Sequence, residues 1–355
     1  MIMMIRRHIR SIAGGAANVA PAVLCALCVL SSILFVASGC HRRPLEDPSE
    51  KTLVKVKVNV KDIHNVTCDI YNPKLPLQQI APTAMHVLFY DKATEVLAAE
   101  TFITNVGTEE DGSRSLNGTI SILPGNYRML VYDFGTEATL IGGLESWESA
   151  RAYTETVESA VRSRFHTKAD EKGIDILQQP DHLVVASKES EQIPWHDELY
   201  TVKAEASSVV ESWYLQIKVD GAQYISGAQA MLSGMVGANR IATNTRENEP
   251  EVGIWFPLQK SDDKGTPVIC TVFNSFGRVP DSNNSLSVTF DIKTVDGKTL
   301  QKTFDISRLF LSENAIKHHW LLLEETIKID PPASSGGAFD PIVDGWDEEQ
   351  REIEI

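Results

Sequence analysis

The sequence is short of the features that would announce catalysis or nucleic-acid binding. It has five cysteines in 355 residues, at positions 25, 28, 40, 68 and 270. They are too few and too scattered for a disulfide scaffold or a zinc framework. Neither a phosphate-binding glycine loop nor a GxSxG or HExxH motif occurs, which removes the commonest signatures of nucleotide-dependent, serine-hydrolase and metalloprotease chemistry. Basic residues are the minority, 33 against 48 acidic ones, for a formal charge of −15. That balance opposes the broad positive field a general nucleic-acid binder presents to phosphates. With 43% hydrophobic residues the composition fits a folded chain, neither disordered nor repeatedly membrane-spanning. The length predicts roughly two domains of ~150 residues each.

The N-terminus carries the strongest signal. Arg6, Arg7 and Arg10 precede an uncharged run from Ala20 to Val36, and the first acidic residue is Glu46. Residues 1–39 therefore read as an export signal peptide. The run leads into Ala37-Ser38-Gly39-Cys40, which resembles the bacterial lipobox, with Ala37 where Leu is commonest. In that chemistry the peptide is cut before Cys40, whose thiol takes up a diacylglycerol. Acyl chains contribute ~0.8 kcal/mol per buried CH₂, so several chains give lasting attachment. The competing reading of the apolar run is a transmembrane anchor. Residues 40–51, with Pro44, Pro48 and clustered charges, read as a tether. Of the remaining cysteines, Cys68 and Cys270 are expected as buried thiols in separate domains in preference to a disulfide, which an exported protein would permit.

The body of the chain alternates with period two. Val54, Val56, Val58 and Val60 fall on one face, and Lys55, Lys57 and Asn59 on the other, as in a strand with one buried face. Further strands are predicted at 85–90, 96–103, 116–123 and, beyond the Pro124-Gly125 turn, from Tyr127. A second series begins near Leu199. It includes 214–219, 228–238, 254–258, 268–273, 286–292, 300–306 and 316–323. Apolar residues at helical spacing after Ser146, among them Ala150, Tyr153, Val157 and Phe165, predict one helix near 147–170.

The hairpin at Thr294–Lys298 allows a register argument. A two-residue Asp296-Gly297 loop would set Val288, Phe290 and Ile292 against Asp305, Thr303 and Gln301. A three-residue loop, Val295 to Gly297 with Gly297 left-handed, sets Val288 against Phe304 and Ile292 against Leu300. The second is expected, because it sets apolar residues against apolar ones at those two pairs and a one-residue slip inverts the faces.

Many short strands with little helix indicate an all-β chain of two tandem antiparallel β-sandwiches. The expected division is 52–195, carrying the helix, and 196–330. The tail 331–355 opens with Pro, Ser and Gly, and its last part, from Phe339, holds seven acidic residues and one arginine. It reads as flexible, with docking through Phe339 and Trp346 as the alternative.

Four segments resemble a known family: Cys40 to Pro48 behind the lipobox, LPGNYRMLVYD at 123–133, Gln179-Pro180-Asp181-His182-Leu183, and AQAMLSGMVGA at 228–238. The family is an uncharacterised-domain group of Bacteroidota lipoproteins, placed with the fimbrial anchor (minor fimbrium subunit) superfamily. The resemblance implies two transthyretin-like sandwiches and an outer-membrane lipid anchor at Cys40. It also implies fimbrial subunits as partners at sheet edges, a role in adhesion, and no catalytic residues, cofactor or metal.

Local alternatives point the same way. His318-His319 falls in the predicted strand 316–323, where neighbours face opposite sides and cannot easily share a metal. Ser261 to Gly265 reads as a hairpin turn in preference to a cation loop. The rival function is a surface lipoprotein that captures glycans or nutrients, with Trp195, Trp213, Trp255 and Trp320 as stacking faces.

Overall fold

The computed structural model describes residues 51–60, 66–75, 77, 79–279 and 286–332. The expected signal peptide, Cys40, the tether and the acidic tail lie outside them, apart from Lys51, Pro331 and Pro332. Described first are β1 (Thr52–Val60), β2 (Met85–Asp91), β3 (Leu97–Ile103), β4 (Asn105–Thr108), β5 (Arg114–Ile122) and β6 (Gly125–Asp133). Next come β7 (Thr139–Gly142), β8 (Arg151–Thr154), α1 (Ser159–Lys172), β9 (Asp175–Gln178), β10 (Val184–Ile193) and β11 (Tyr200–Ser208). The remainder is β12 (Glu211–Asp220), β13 (Ile225–Arg240), β14 (Thr245–Asp263), β15 (Thr266–Ser275), β16 (Ser287–Thr294), β17 (Thr299–Asp305), α2 (Glu313–His318) and β18 (Trp320–Lys328).

The first sheet runs β3-β2-β6-β10-β11-β1-β5-β4. Only Val184–Ser208 and Val185–Ser207 join β10 to β11, so the sheet folds there and its halves face each other. Val54, Val56 and Val58 of β1 meet Met85, Val87, Phe89, Met129 and Val131 of β2 and β6 in a common core. Each such side chain removed from water contributes about 1.5–3 kcal/mol. At the corner β3 passes into β4 through Thr104 alone. Gly118 of β5 lies there so close to Ile103 that a Cβ would fall 2.8 Å from its side chain.

The second sheet runs β17-β16-β13-β14-β15-β12-β18. Strand β14 serves both of its layers, pairing with β13 through Leu258 and with β15 from Gln259. Phe256 and Phe273 stack in its core with centroids 4.3 Å apart. The chain is thus all-β, two sandwiches with short helices, as its patterning predicts. Antiparallel pairing dominates, with parallel exceptions at β1–β11, β12–β18 and β9–β14.

A third core joins the sandwiches. The outer faces of β2 and β6 place Leu88, Tyr90, Leu130 and Tyr132 against Val209, Val210, Val236 and Phe276. Burial on both faces explains why MHVLFY is a continuous apolar run and not an alternation. Strand exchange tightens the join. β11 completes the first sheet, so position 195/196 falls between two strands of one sheet, whereas β8 and β9 pair with β13 and β14 of the second.

Two expectations need correction. The helix starts at Ser159, not near Trp147, because Arg151–Thr154 is strand β8, paired with β7 and β13. Trp147, Ala150 and Ala152 are spent on the third core. Tertiary pairing overrides a helical spacing that Val157, Val161 and Phe165 continue into the cluster under α1. The strand expected at 316–323 begins at Trp320. His318 ends α2, and His319 is left-handed at φ 56°. Ser312 caps that helix by accepting from the Ala315 N–H. The 294–298 hairpin takes the expected three-residue loop. Val288 faces Phe304, Ile292 faces Leu300, and Gly297 has φ 82°.

Candidate functional site

With Cys40 outside the described residues, the surfaces that bear on partner binding are sheet edges and what covers them. β17 ends its sheet and keeps unbroken register with β16 from Ser287–Asp305 to Lys293–Thr299. Thr294 donates its N–H to the Lys298 carbonyl at 2.9 Å. Counting along the ladder from that pair turns the backbone groups of Thr299, Gln301 and Thr303 outward. On the core side Leu300 and Phe304 are half-buried, and Phe304 meets Phe290 edge-on at 5.8 Å. β18, at the other end, is interrupted. Ile217 pairs with Leu323 and Lys218 with Thr326, so Glu324 and Glu325 bulge out. Bulges and charges are what blunt an edge against strand addition. Beside it lies a cleft of about 530 Å³ lined by charges of both signs, including Lys218, Asp263 and Arg308. Among the described residues no three His, Cys, Asp or Glu side chains converge as a metal set. Ser261 to Gly265 is the β14–β15 hairpin, turning through Lys264 and Gly265 at φ 50° and 86°.

The segment Val66–Leu75 follows a first-sandwich strand yet lies over the second sandwich. Ser212 donates its N–H to the Val66 carbonyl at 2.7 Å, and Asp69 donates to His318 at 3.1 Å. The Trp320 indole N–H reaches the Asp69 carbonyl at 2.9 Å. Farther on, the Tyr71 hydroxyl donates to Asp263 and the Asn72 amide to Ser261, each at 2.8 Å, and Lys74 pairs with Asp262. Alternation and spacing gave no sign of this strap, since its partners lie far away in sequence. The Asn72-Pro73 dipeptide was the one local turn signal.

Cys68 of the strap and Cys270 of β15 share the packing between strap and sheet. They were expected in separate domains, but both belong to one buried cluster, unbonded. Burial pushes the Cys68 thiol up to about 11 and raises that of Cys270 as well, so neither supplies a thiolate at neutral pH. The tryptophans proposed as glycan faces are engaged in packing. Trp213 stacks on His319 at 4.4 Å, Trp320 stacks on His318 at 4.2 Å, and Trp255 packs against the α1 cluster and donates to Gln229. Trp195 is half-buried.

The segments quoted for the resemblance have structural work. The Asp181 carboxylate accepts from the backbone N–H groups of Glu137, Ala138 and Thr139 at 2.8, 2.5 and 3.2 Å. Gln179 and Pro180 accept from Asn274. The Ser212 hydroxyl donates to Asn274 and accepts from His182 Nε2 at 3.0 Å. Burial pulls the His182 ring down to about 4, and its Nδ1 has no partner. Tyr127 of LPGNYRMLVYD returns its hydroxyl to the Leu123 carbonyl at 2.8 Å. AQAMLSGMVGA is the centre of β13, bulged at Gly234, where φ is 85° and a Cβ would strike Leu286.

Comparison with known proteins follows the same outline. The sequence is 24% identical over 243 residues to a Bacteroides ovatus protein named "Putative fimbrium anchoring subunit Fim4B". The match covers 67% of this chain and 62% of that relative's length. The fold is shared with a crystal structure of a "putative adhesin" from B. ovatus ATCC 8483, with TM-score 0.56, 19% identity and coverage of 83% of this chain and 98% of that one. The Porphyromonas gingivalis fimbrial anchor protein Mfa2 is more distant, with TM-score 0.43, 12% identity and coverage of 76% and 88%. The profile of a family described as "Domain of unknown function (DUF5119)" matches residues 49–255. Matched over more than half its length, the chain belongs to the DUF5119 family.

Proposed function

We propose that this protein is an outer-membrane lipoprotein, tethered through an acylated Cys40, that anchors or terminates a fimbrium. The observation that carries the reading is the likeness over 243 residues to a relative named as a fimbrium anchoring subunit. The Ala37-Ser38-Gly39-Cys40 junction behind an uncharged run supports the lipid tether. The uninterrupted β17 edge supports strand-to-strand contact with a neighbouring subunit. Sheets suit this task, because tension on a filament then passes through laddered hydrogen bonds to the lipid.

The test pairs two measurements on cells of the source bacterium. Wild-type protein should take up labelled fatty acid and bring fimbrial subunits with it when solubilised outer membrane is captured on an antibody to the chain. Cys40→Ala should abolish the labelling and release the protein from the membrane. Capture without any filament subunit would remove the fimbrial part of the reading. Undiminished labelling of Cys40→Ala would remove the lipid part.

A further inference from the structure

At one rim of the first sandwich three rings stand in register across three strands, because Phe102 of β3 pairs with His86 of β2, which pairs with Tyr132 of β6. Phe134, one residue beyond β6, leans back onto the row. Its ring meets Phe102 at 4.9 Å and 61°, and His86 at 6.2 Å. His86 stacks flat on Phe102 at 4.4 Å and 14°. The histidine is buried, but Phe102 is 50% exposed and Phe134 57% exposed. Paired exposed phenylalanines are unusual on a surface with no partner.

Glu100 stands two residues before Phe102, on the same face of β3. It accepts a hydrogen bond from His86 Nε2 at 3.0 Å, while the Tyr132 hydroxyl meets His86 Nδ1 at 2.8 Å. A carboxylate only accepts, so Nε2 carries a proton toward Glu100. Two buried groups thereby hold an exposed carboxylate beside two exposed rings. Among the described residues no lysine or arginine pairs with Glu100.

We infer that this rim is a docking site for a lysine or arginine side chain presented by a partner protein. The argument is electrostatic complementarity. Whatever covers Phe102 and Phe134 also takes Glu100 out of water, and a carboxylate loses more by desolvation than two rings gain unless a cation arrives with the cover. Two ring faces at 61° form adjoining walls for such a cation, which the π faces and the carboxylate attract together. A pyranose ring fits worse, because it cannot lie flat against both walls at once. An uncharged apolar plug leaves the carboxylate desolvated with the His86 N–H alone. The site adds a recognition chemistry to the proposed anchoring role without depending on it.

The test uses the full chain in detergent micelles with 4-fluorophenylalanine in place of phenylalanine, the two rim signals being assigned from Phe102→Leu and Phe134→Leu. Nα-acetyl-lysine amide should shift both signals and saturate in the millimolar range. Nα-acetyl-norleucine amide, which lacks the ammonium group, should bind at least about fivefold more weakly, and Glu100→Gln should weaken the lysine probe by about the same factor. Equal binding of the norleucine probe would overturn the proposal in favour of a plain apolar contact. Shifts with methyl β-glucoside in place of the lysine probe would overturn it in favour of a glycan site. Silence toward every probe at tens of millimolar would mean that the rim binds nothing of this kind. A small probe reads the rim even where fimbrial capture fails, so the two proposals fall separately.

Discussion

Tyr71 stacks on Tyr214 with ring centroids 4.9 Å apart and planes 28° apart. Tyr71 belongs to the connection between β1 and β2 of the first sandwich, and Tyr214 to β12 of the second. The contact therefore closes a loop of chain around the seam, and Tyr71 also meets Trp320 edge-on at 4.9 Å.

Tyr71→Ala should loosen that strap. It removes two ring contacts and the bond to Asp263, for an expected loss of about 2–3 kcal/mol in urea unfolding. Amide exchange at Asp69 should accelerate more than exchange in β1. Unchanged protection there would mean that the strap is held without its tyrosine.

Gly297→Ala tests the hairpin. No atom lies within 4 Å of where its Cβ would stand, so only the left-handed backbone opposes the change. The expected loss is about 1–2 kcal/mol. At Lys264, a lysine at φ 50°, substitution by glycine should be neutral or slightly stabilising. No loss in Gly297→Ala, or a clear loss in Lys264→Gly, in thermal unfolding would contradict the corresponding turn assignment.

What the sequence disclosed follows from how local each constraint is. Val54 to Val60 alternate because one face of β1 lies in the core, and the 294–298 register follows from keeping Val288 opposite Phe304 and Ile292 opposite Leu300. The 147–154 stretch misled because Ala150 and Tyr153 carry helical spacing while their positions are set by β7 and β13. The strand predicted from Ile316 hid the Ser312 cap of α2, although Ile316 stands apart from the apolar run Trp320 to Leu323. The strap and the Phe102–Phe134 rim depend on residues brought together across strands, which no window of sequence contains.

Acid stability should show two opposed contributions. His182 is pulled from its ordinary 6.5 to about 4 by burial. As pH falls through 6.5 the unfolded ring gains a proton that the folded ring refuses until about 4, so stability drops across that interval by about 3 kcal/mol. Asp133 is pushed from 3.8 up to about 6, also by burial. There the folded carboxyl keeps a proton that the unfolded one releases, so stability drops by about 3 kcal/mol as pH rises from 3.8 through 6. Relative to wild type, His182→Gln should therefore lose the acid-side decline, and Asp133→Asn should lose the opposite trend. Urea midpoints from pH 4 to 7 read both. Parallel curves for all three proteins would refute the assignment.

Thiol titration checks the strap layer. In protein processed as proposed, with the signal removed and Cys40 acylated, Cys68 and Cys270 should resist Ellman's reagent at pH 8 while folded and react fully in guanidinium, since both are buried and their thiols are raised. Rapid labelling of either in the native state would show the strap lifting.

The chain's crossings between its two sandwiches constrain where it can be divided. The strap leaves one sandwich for the other and returns, β11 sits on the far side of the helix and strands lent to its neighbour, and β14 spans two layers. No single cut in the gene separates two self-sufficient halves. A cut after β11 would leave β8 and β9 without their partner strands β13 and β14 and strip the second sandwich of both.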